Sequence, residues 1–327
     1  MLIDNHHRVI NYLRLAVTDR CNLRCNYCMP EEGINFAKRD KLFTINELSR
    51  VGSLMAGMGI DKIRITGGEP FVRKDLMVLL RHLSGIPSLK EISVTTNATL
   101  IGKYIKELKQ LGIIHVNVSM DAIERHTFEK ITRRDHFDTV YGNLVQLINE
   151  GFHVKINFIV LDGQNTNDII PMLELTRRFP VCVRFLEEMP FNGGSRVFNQ
   201  IQWNYKRILE FIRVAYPDME EIPSEKTSTS INYQIKGFKG SFGIIPSFSR
   251  TFCGTCNRLR ISATGDVITC LYGKPIVNIR ELLRSTNPDV KIKEAVLQAI
   301  GSRAKTGFEA QEKYASVFDN SMTSIGG

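Results

Sequence analysis

Six of the seven cysteines fall into two triplets. Cys21, Cys25 and Cys28 are spaced C-x3-C-x2-C, and Cys253, Cys256 and Cys270 are spaced C-x2-C-x13-C. A cubane 4Fe-4S cluster normally takes four protein thiolates, one per iron. Three leave one iron open to a small molecule. Zinc and plain structural thiols are the alternatives. Zinc sites usually join a C-x2-C pair to a second pair or to histidines. That reading is stronger for the second triplet, whose C-x2-C is a zinc-knuckle element, yet no nearby His or Cys offers a fourth ligand. Arg258 and Arg260 share one strand face beside it and suit an anionic or acceptor-rich ligand. Cys182 sits among apolar neighbours and reads as a small core residue.

The elements that must position these residues alternate. Residues 12 to 18 read as a strand, as do Lys62–Thr66 and the stretches near 91–97, 114–120, 153–160 and 181–187. Helical periodicity falls between them: Leu48, Val51, Met55 and Met58; Leu76, Leu79, Leu80 and Leu83; then 101–111, 137–149 and 168–178. Six strands alternating with helices predict an α/β fold of parallel units, curling as an open, partial (β/α)6 barrel. One strand face is apolar throughout and belongs against the helices. The other is polar and carries five cations: Arg14, Lys62, Arg64, Lys155 and Arg184. Thr95, Asn117, Ser119 and Asn157 share that face. A closed barrel normally fills its lumen with branched apolar side chains. A polar lumen implies a ligand-sized cavity, and unpaired buried cations call for an anion. The alternative is an antiparallel sheet with one solvated face, which the intervening helices disfavour.

Gly67-Gly-Glu-Pro70 follows the second strand directly. Its glycines let backbone approach a ligand closely, and Glu69 can accept from an ammonium group. Beyond 188 the pattern changes to a loop, a helix near 202–214 and short strands within 231–250. A boundary near 220 divides the chain into residues 1–220, the barrel, and 221–327, a smaller domain with the second triplet. The chain ends Ile325-Gly326-Gly327. A Gly-Gly end is usually disordered, but it can also thread into a narrow site.

At 327 residues with ordinary composition the chain buries a sizeable core. No apolar run approaches the ~18 to 20 residues of a membrane span, and the first residues lack a secretory signal. Tight cysteine triplets suit metal ligation in a reducing compartment, so the expected location is the cytoplasm. Lys and Arg outnumber Asp and Glu, 43 to 34, which favours an anionic partner.

The first triplet followed by Gly67-Gly-Glu-Pro70 resembles the radical S-adenosylmethionine (SAM) family. Two triplets at these spacings and a Gly-Gly end resemble, along nearly the whole chain, the GTP 3',8-cyclases of molybdenum cofactor biosynthesis. Leu13–Cys25, Ile63–Pro70, Val183–Pro190 and Phe252–Arg260 carry the likeness. The resemblance implies a 4Fe-4S cluster on Cys21, Cys25 and Cys28, with SAM on its open iron. It implies Tyr27, Gly68, Glu69, Ser119 and Met189 around SAM. It implies a second 4Fe-4S cluster on Cys253, Cys256 and Cys270, facing guanine. GTP would meet Arg14, Arg64, Thr95, Lys155, Arg258 and Arg260, with Lys62 and Arg184 in the same anionic environment. Gly326 and Gly327 would have a catalytic role. The implied reaction takes hydrogen from ribose C3' and closes the resulting carbon radical onto guanine C8. One more electron and a proton then give 3',8-cyclo-7,8-dihydro-GTP. A small electron donor such as flavodoxin or ferredoxin and a downstream pterin-forming enzyme are the implied partners, and a homodimer is a candidate assembly. Two positions depart from the family pattern. Ala98 stands where Gly is frequent, and Ser324 where a basic or amide residue is common.

Three other readings compete. Another radical SAM reaction keeps the first triplet without GTP. An iron-sulfur electron carrier explains two clusters but not the polar lumen. A nucleic-acid binder would interleave basic and aromatic residues on a surface, whereas here several cations alternate with apolar residues inside strands. Neither nucleic acid nor a membrane is therefore expected as a partner.

Overall fold

The computed structural model describes residues 1–193, 200–313 and 321–326. Six strands lie parallel in chain order: β1 (Tyr12–Ala16), β2 (Lys62–Thr66), β3 (Glu91–Thr96), β4 (His115–Ser119), β5 (His153–Ile159) and β6 (Cys182–Leu186). Helices connect them: α1 (Ile45–Gly57), α2 (Leu76–Ser84), α3 (Ile105–Gln110), α4 (Arg125–Thr132), α5 (Phe137–Asn149) and α6 (Ile169–Arg178). The start of α1 is locally specified. Thr44 accepts from the Glu47 amide while the Glu47 carboxylate accepts from the Thr44 amide, a reciprocal cap.

The face assignment holds. Leu13, Leu15, Ile63, Ile65, Val94, Val118, Ile156, Phe158, Val183 and Phe185 are fully buried in one apolar core with Leu48, Val51, Met55, Leu79, Leu80 and Leu83 of the helices. Strand period 2 and helix period 3.6 thus meet at one interface.

Two strands from the C-terminal part extend the parallel row beyond the expected six. β7 (Ser241–Ile245) pairs with β6, and β8 (Arg258–Ile261) pairs with β1. Short antiparallel strands follow: Ile231–Gln234 and Glu220–Ile222 beyond β7, and Asp266–Ile268 and Val277–Asn278 beyond β8. Among the described residues no ladder joins the two ends, so the barrel is partial. The strands of 221–327 flank the first six within one sheet.

This topology sets where the cysteines lie. The first triplet follows β1, at the C-terminal ends of the parallel strands. Cys253 and Cys256 precede β8, which runs parallel to β1, and Cys270 follows the antiparallel strand Asp266–Ile268. The second triplet therefore sits at the opposite end of the lumen. One strand of five residues separates the ends, about 15 Å at the usual rise.

Candidate active site

Register builds the lumen in rows, because in-register partners on parallel strands face the same side. Arg258, Tyr12, Lys62 and Glu91 are successive partners across β8, β1, β2 and β3. One layer up, Arg260, Arg14, Arg64 and Ser93 repeat the alignment. Arg14, Arg64, Arg184, Arg258 and Arg260 line a single cavity of about 300 Å³, within the size range of small-molecule sites. All six triplet cysteines line the same cavity.

The cavity is electrostatically incomplete. Among the described residues Arg14, Arg64, Arg184 and Arg258 take no carboxylate partner. Arg64 Nε donates to Ser93 Oγ at 3.2 Å, and Arg184 Nη2 to Asn157 Oδ1 at 2.6 Å. The Nε atoms of Arg14, Arg184 and Arg258 are buried without a hydrogen-bond partner. Burial, then the neighbouring guanidiniums, pull Arg14 well down, and bring Arg184 and Arg260 down to about 10. A polyanion among these side chains would relieve the repulsion.

The two triplets differ. Desolvation pushes the Cys21 thiol up to about 12, and Cys25 and Cys28 also upward, against thiolate formation in the absence of a cation. At Cys256 burial acts the same way, but Arg258 and Arg303 outweigh it and bring the thiol down to about 7. Among the described residues no three His, Cys, Asp or Glu side chains are placed to share one metal ion. The sulfurs nevertheless receive N–H donors of the kind that line iron-sulfur clusters. Leu23 N (3.4 Å) and Asn97 Nδ2 (3.7 Å) donate to Cys21 Sγ, Gly307 N to Cys253 Sγ (3.3 Å), and Arg303 Nη2 to Cys256 Sγ (2.9 Å). Cys21, Cys25 and Cys28 at one end, and Cys253, Cys256 and Cys270 at the other, are the residues that would hold a cluster.

Of the expected SAM residues, Tyr27, Gly68, Ser119 and Met189 line the cavity. The Tyr27 hydroxyl donates to Asp121 Oδ2 at 2.6 Å, and Asp121 Oδ1 accepts from Ile159 N at 2.7 Å. Burial pushes Asp121 up to about 6. Gly67 and Gly68 pack against the cysteine loop: a Cβ at either would meet Thr18 O or Arg20 O at 2.3 Å, and Gly67 has φ +149°. Glu69 is fully buried. Its oxygens accept from Phe71 N (3.0 Å), Thr96 Oγ1 (2.8 Å) and Asn97 N (2.6 Å), and burial pushes it up to about 7. The carboxylate is turned into the protein and is not part of the cavity lining.

Among the expected nucleotide residues, Thr95 lines the cavity and accepts from Asn117 Nδ2 at 3.3 Å. Lys62 and Lys155 are not among the lining residues. Lys62 is paired with Glu91 at 2.8 Å, and Lys155 is exposed. The tail does reach the barrel. The Gly326 carbonyl accepts from Thr66 Oγ1 (3.0 Å) and Arg260 Nη1 (3.2 Å), and Gly326 has φ +83°. Met322 and Thr323 line the cavity, and Ser321 Oγ lies 3.7 Å from Cys28 Sγ. Gly327 lies outside the described residues. Asn97, on the expected polar strand face, lines the cavity, while sequence reasoning missed Arg8, Asp121, Arg250 and Arg303, which line it too. Asp121 had a weak signal, standing two residues past the polar face of β4; Arg8 and Arg303 had none.

Family models for the "Radical SAM superfamily" and for "Molybdenum Cofactor Synthesis C" match residues 15–176 and 181–308. The chain is 36% identical to the GTP 3',8-cyclase of Listeria monocytogenes, covering 100% of this chain and 99% of that protein. It is 36% identical to the mitochondrial GTP 3',8-cyclase of Arabidopsis thaliana, covering 100% and 84%. Identity to molybdenum cofactor biosynthesis protein 1 of Drosophila melanogaster is 38%, over 86% of this chain and 50% of that one. The chain thus spans about half the length of several relatives it matches. By fold it is similar to Streptococcus suis SuiB bound to S-adenosylmethionine (TM-score 0.62, 16% identity, 90% of this chain and 68% of that one). It is also similar to anSMEcpe with bound AdoMet (TM-score 0.54, 18% identity, 86% and 82%). Six consecutive parallel strands, a cysteine triplet after the first and near-complete coverage at 36% identity agree: the chain belongs to the GTP 3',8-cyclase family.

Proposed function

We propose that this chain is a radical SAM lyase that converts GTP to (8S)-3',8-cyclo-7,8-dihydroguanosine 5'-triphosphate, the first step of molybdenum cofactor biosynthesis. The carrying observation is the single cavity with a cysteine triplet at each end and uncompensated arginines between them. Cys21, Cys25 and Cys28 would hold one 4Fe-4S cluster, which together with SAM would supply the radical chemistry at C3'. Cys253, Cys256 and Cys270 would hold a second cluster, which would supply a binding site for the base at the opposite end of the cavity.

The chain's own residues bind and orient. Arg14, Arg64, Arg184, Arg258 and Arg260 neutralise the triphosphate, with Lys62 and Lys155 adding positive potential at the N-terminal strand ends. Tyr27, Gly68, Ser119 and Met189 wall the SAM end, and Glu69 shapes it from behind. Holding C3' and C8 of one molecule together lowers the barrier to ring closure. Gly326 and Gly327 have a catalytic role, the Gly326 carbonyl being held at the cavity by Thr66 and Arg260. Residues 1–220 carry the SAM chemistry and 221–327 the second cluster. A flavodoxin- or ferredoxin-type donor supplies electrons, and a pterin-forming enzyme takes the product, in the cytoplasm; a homodimer is the proposed assembly.

The test is anaerobic. After iron reconstitution, reductant and SAM are added, and 5'-deoxyadenosine is quantified with GTP, with ATP and alone. GTP-dependent release is expected. Release indifferent to GTP keeps the radical enzyme and discards the cyclase. No release from protein with both clusters intact returns the electron-carrier reading.

A further inference from the structure

The N-terminal hairpin is tied to the second cysteine triplet by buried ionic contacts that the proposed chemistry does not use. Leu2–Ile3 pairs with Val9–Ile10, and the turn between them presents Asp4 and Arg8. Both side chains are almost wholly buried and pair at 2.6 Å. The Arg8 guanidinium then spans two distant segments. Nη1 donates to Cys253 O (2.9 Å) and Lys305 O (2.8 Å), and Nη2 to Ala304 O (2.8 Å). Arg8 thereby clamps residues 304–305 onto the loop that carries Cys253.

Arg303, also almost wholly buried, lies 3.6 Å from the same Asp4 carboxylate. Its Nη1 donates to Cys256 O (3.0 Å) and its Nη2 to Cys256 Sγ (2.9 Å). The backbone N–H of Gly307 donates to Cys253 Sγ at 3.3 Å. One segment, 303–307, thus directs N–H groups at two of the three sulfurs. Burying a second guanidinium beside one carboxylate is costly, and a neutral thiol is a weak acceptor that returns little. A thiolate is the acceptor that repays the arrangement.

We propose that Arg303 is a positioning residue for the second cluster: it fixes the Cys256 sulfur and, by donating to the bound thiolate, makes that cluster easier to reduce, with Asp4 and Arg8 holding Arg303 in place. The inference rests on the reading of Cys253, Cys256 and Cys270 as cluster ligands. Hydrogen bonds to ligand sulfur withdraw charge from the cluster and favour its reduced state. Removing the donor should shift the reduction equilibrium roughly tenfold, about 59 mV more negative for a one-electron couple.

The experiment uses the full chain with Cys21, Cys25 and Cys28 all changed to Ala, so that only the second triplet can load. Iron and sulfide per chain are measured after anaerobic reconstitution, and the midpoint potential is then followed by EPR. Arg303→Met is expected to shift the midpoint negative. Arg303→Lys should fall between Arg303→Met and the parent, and Asp4→Asn should shift in the same direction by less. A loaded Arg303→Met protein with the parent's potential overturns the inference. If Arg303→Met does not load, the Lys and Asn variants decide: shifted potentials support the inference, and unchanged ones overturn it. A parent protein that loads no cluster removes the two-cluster reading and the inference with it.

Discussion

Glu69 follows β2 and Ala98 follows β3, and each separates two roles that motif reading merges. The Glu69 carboxylate takes three donors, two of them backbone amides, on its two oxygens. Glu69→Gln would turn an NH2 group toward a buried N–H, leaving it unsatisfied. The expected cost is about 1 to 3 kcal/mol, read by urea unfolding of the cluster-free protein. Unchanged stability together with lost SAM binding would assign Glu69 to the ligand instead. Ala98 follows β3 at φ +60° and is fully buried. Left-handed backbone costs an L-residue roughly 1 to 2 kcal/mol, while burial of one methyl returns ~0.8 kcal/mol. The terms oppose, so Ala98→Gly is expected to move stability by less than about 1 kcal/mol. A larger loss would mean that packing of the methyl dominates. Glycine would carry no left-handed cost at this position, so the departure from the expected pattern is mild.

At the scale of elements, two terminal segments hold the site from outside the parallel sheet. The N-terminal hairpin acts through Asp4. Asp4→Asn leaves the buried Arg8 and Arg303 without a counter-charge and should cost about 3 kcal/mol. Burial pushes Asp4 up, but the Arg8 and His6 hydrogen bonds and the Arg8 charge leave it below its usual 3.8. A lowered carboxylate stabilises above its unfolded pKa and loses that contribution as pH falls through the folded value. The gap between parent and Asp4→Asn should therefore be full above about pH 4 and shrink below it, in pH-dependent urea titrations. The C-terminal tail acts through Gly326, whose carbonyl is anchored by Thr66 and Arg260. Deleting Gly326 and Gly327 should leave iron content and GTP binding nearly intact and abolish cyclisation. Full activity in the truncated protein would exclude a catalytic tail.

Across the whole molecule the governing fact is a lumen of buried cations. Among the described residues the Nε atoms of Arg14, Arg184 and Arg258 are buried without a hydrogen-bond partner, so an anion that reaches them is expected to stabilise the folded protein. Arg14→Met should therefore raise the melting temperature of the free protein while reducing the stabilisation that GTP confers. In the parent, nucleotide at a hundred times its Kd should add about 2.7 kcal/mol, and added salt should erode it. A variant that melts lower than the parent without nucleotide would show that Arg14 is compensated in the free protein.

How much was legible follows from the range of each interaction. Strand order, the partition of Leu13, Ile63 and Val94 from Arg14, Arg64 and Thr95, and the cysteine spacings are local properties. Periods of 2 and 3.6 are written into short windows, and the sequence by itself determined a parallel α/β sheet with a polar lumen and two three-thiol sites. Only the tertiary structure decided that β7 and β8 flank the first six strands, which sets the two triplets at opposite ends of one cavity. Those pairings join residues more than fifty apart in the chain, where no local period specifies a partner and the choice falls to packing and ladder hydrogen bonds. The same holds for Glu69, whose oxygens accept from Thr96 and Asn97 at the end of β3 as well as from the nearby Phe71 amide, and for Arg8 and Arg303, which become neighbours only when the chain's first residues fold back onto its last helices.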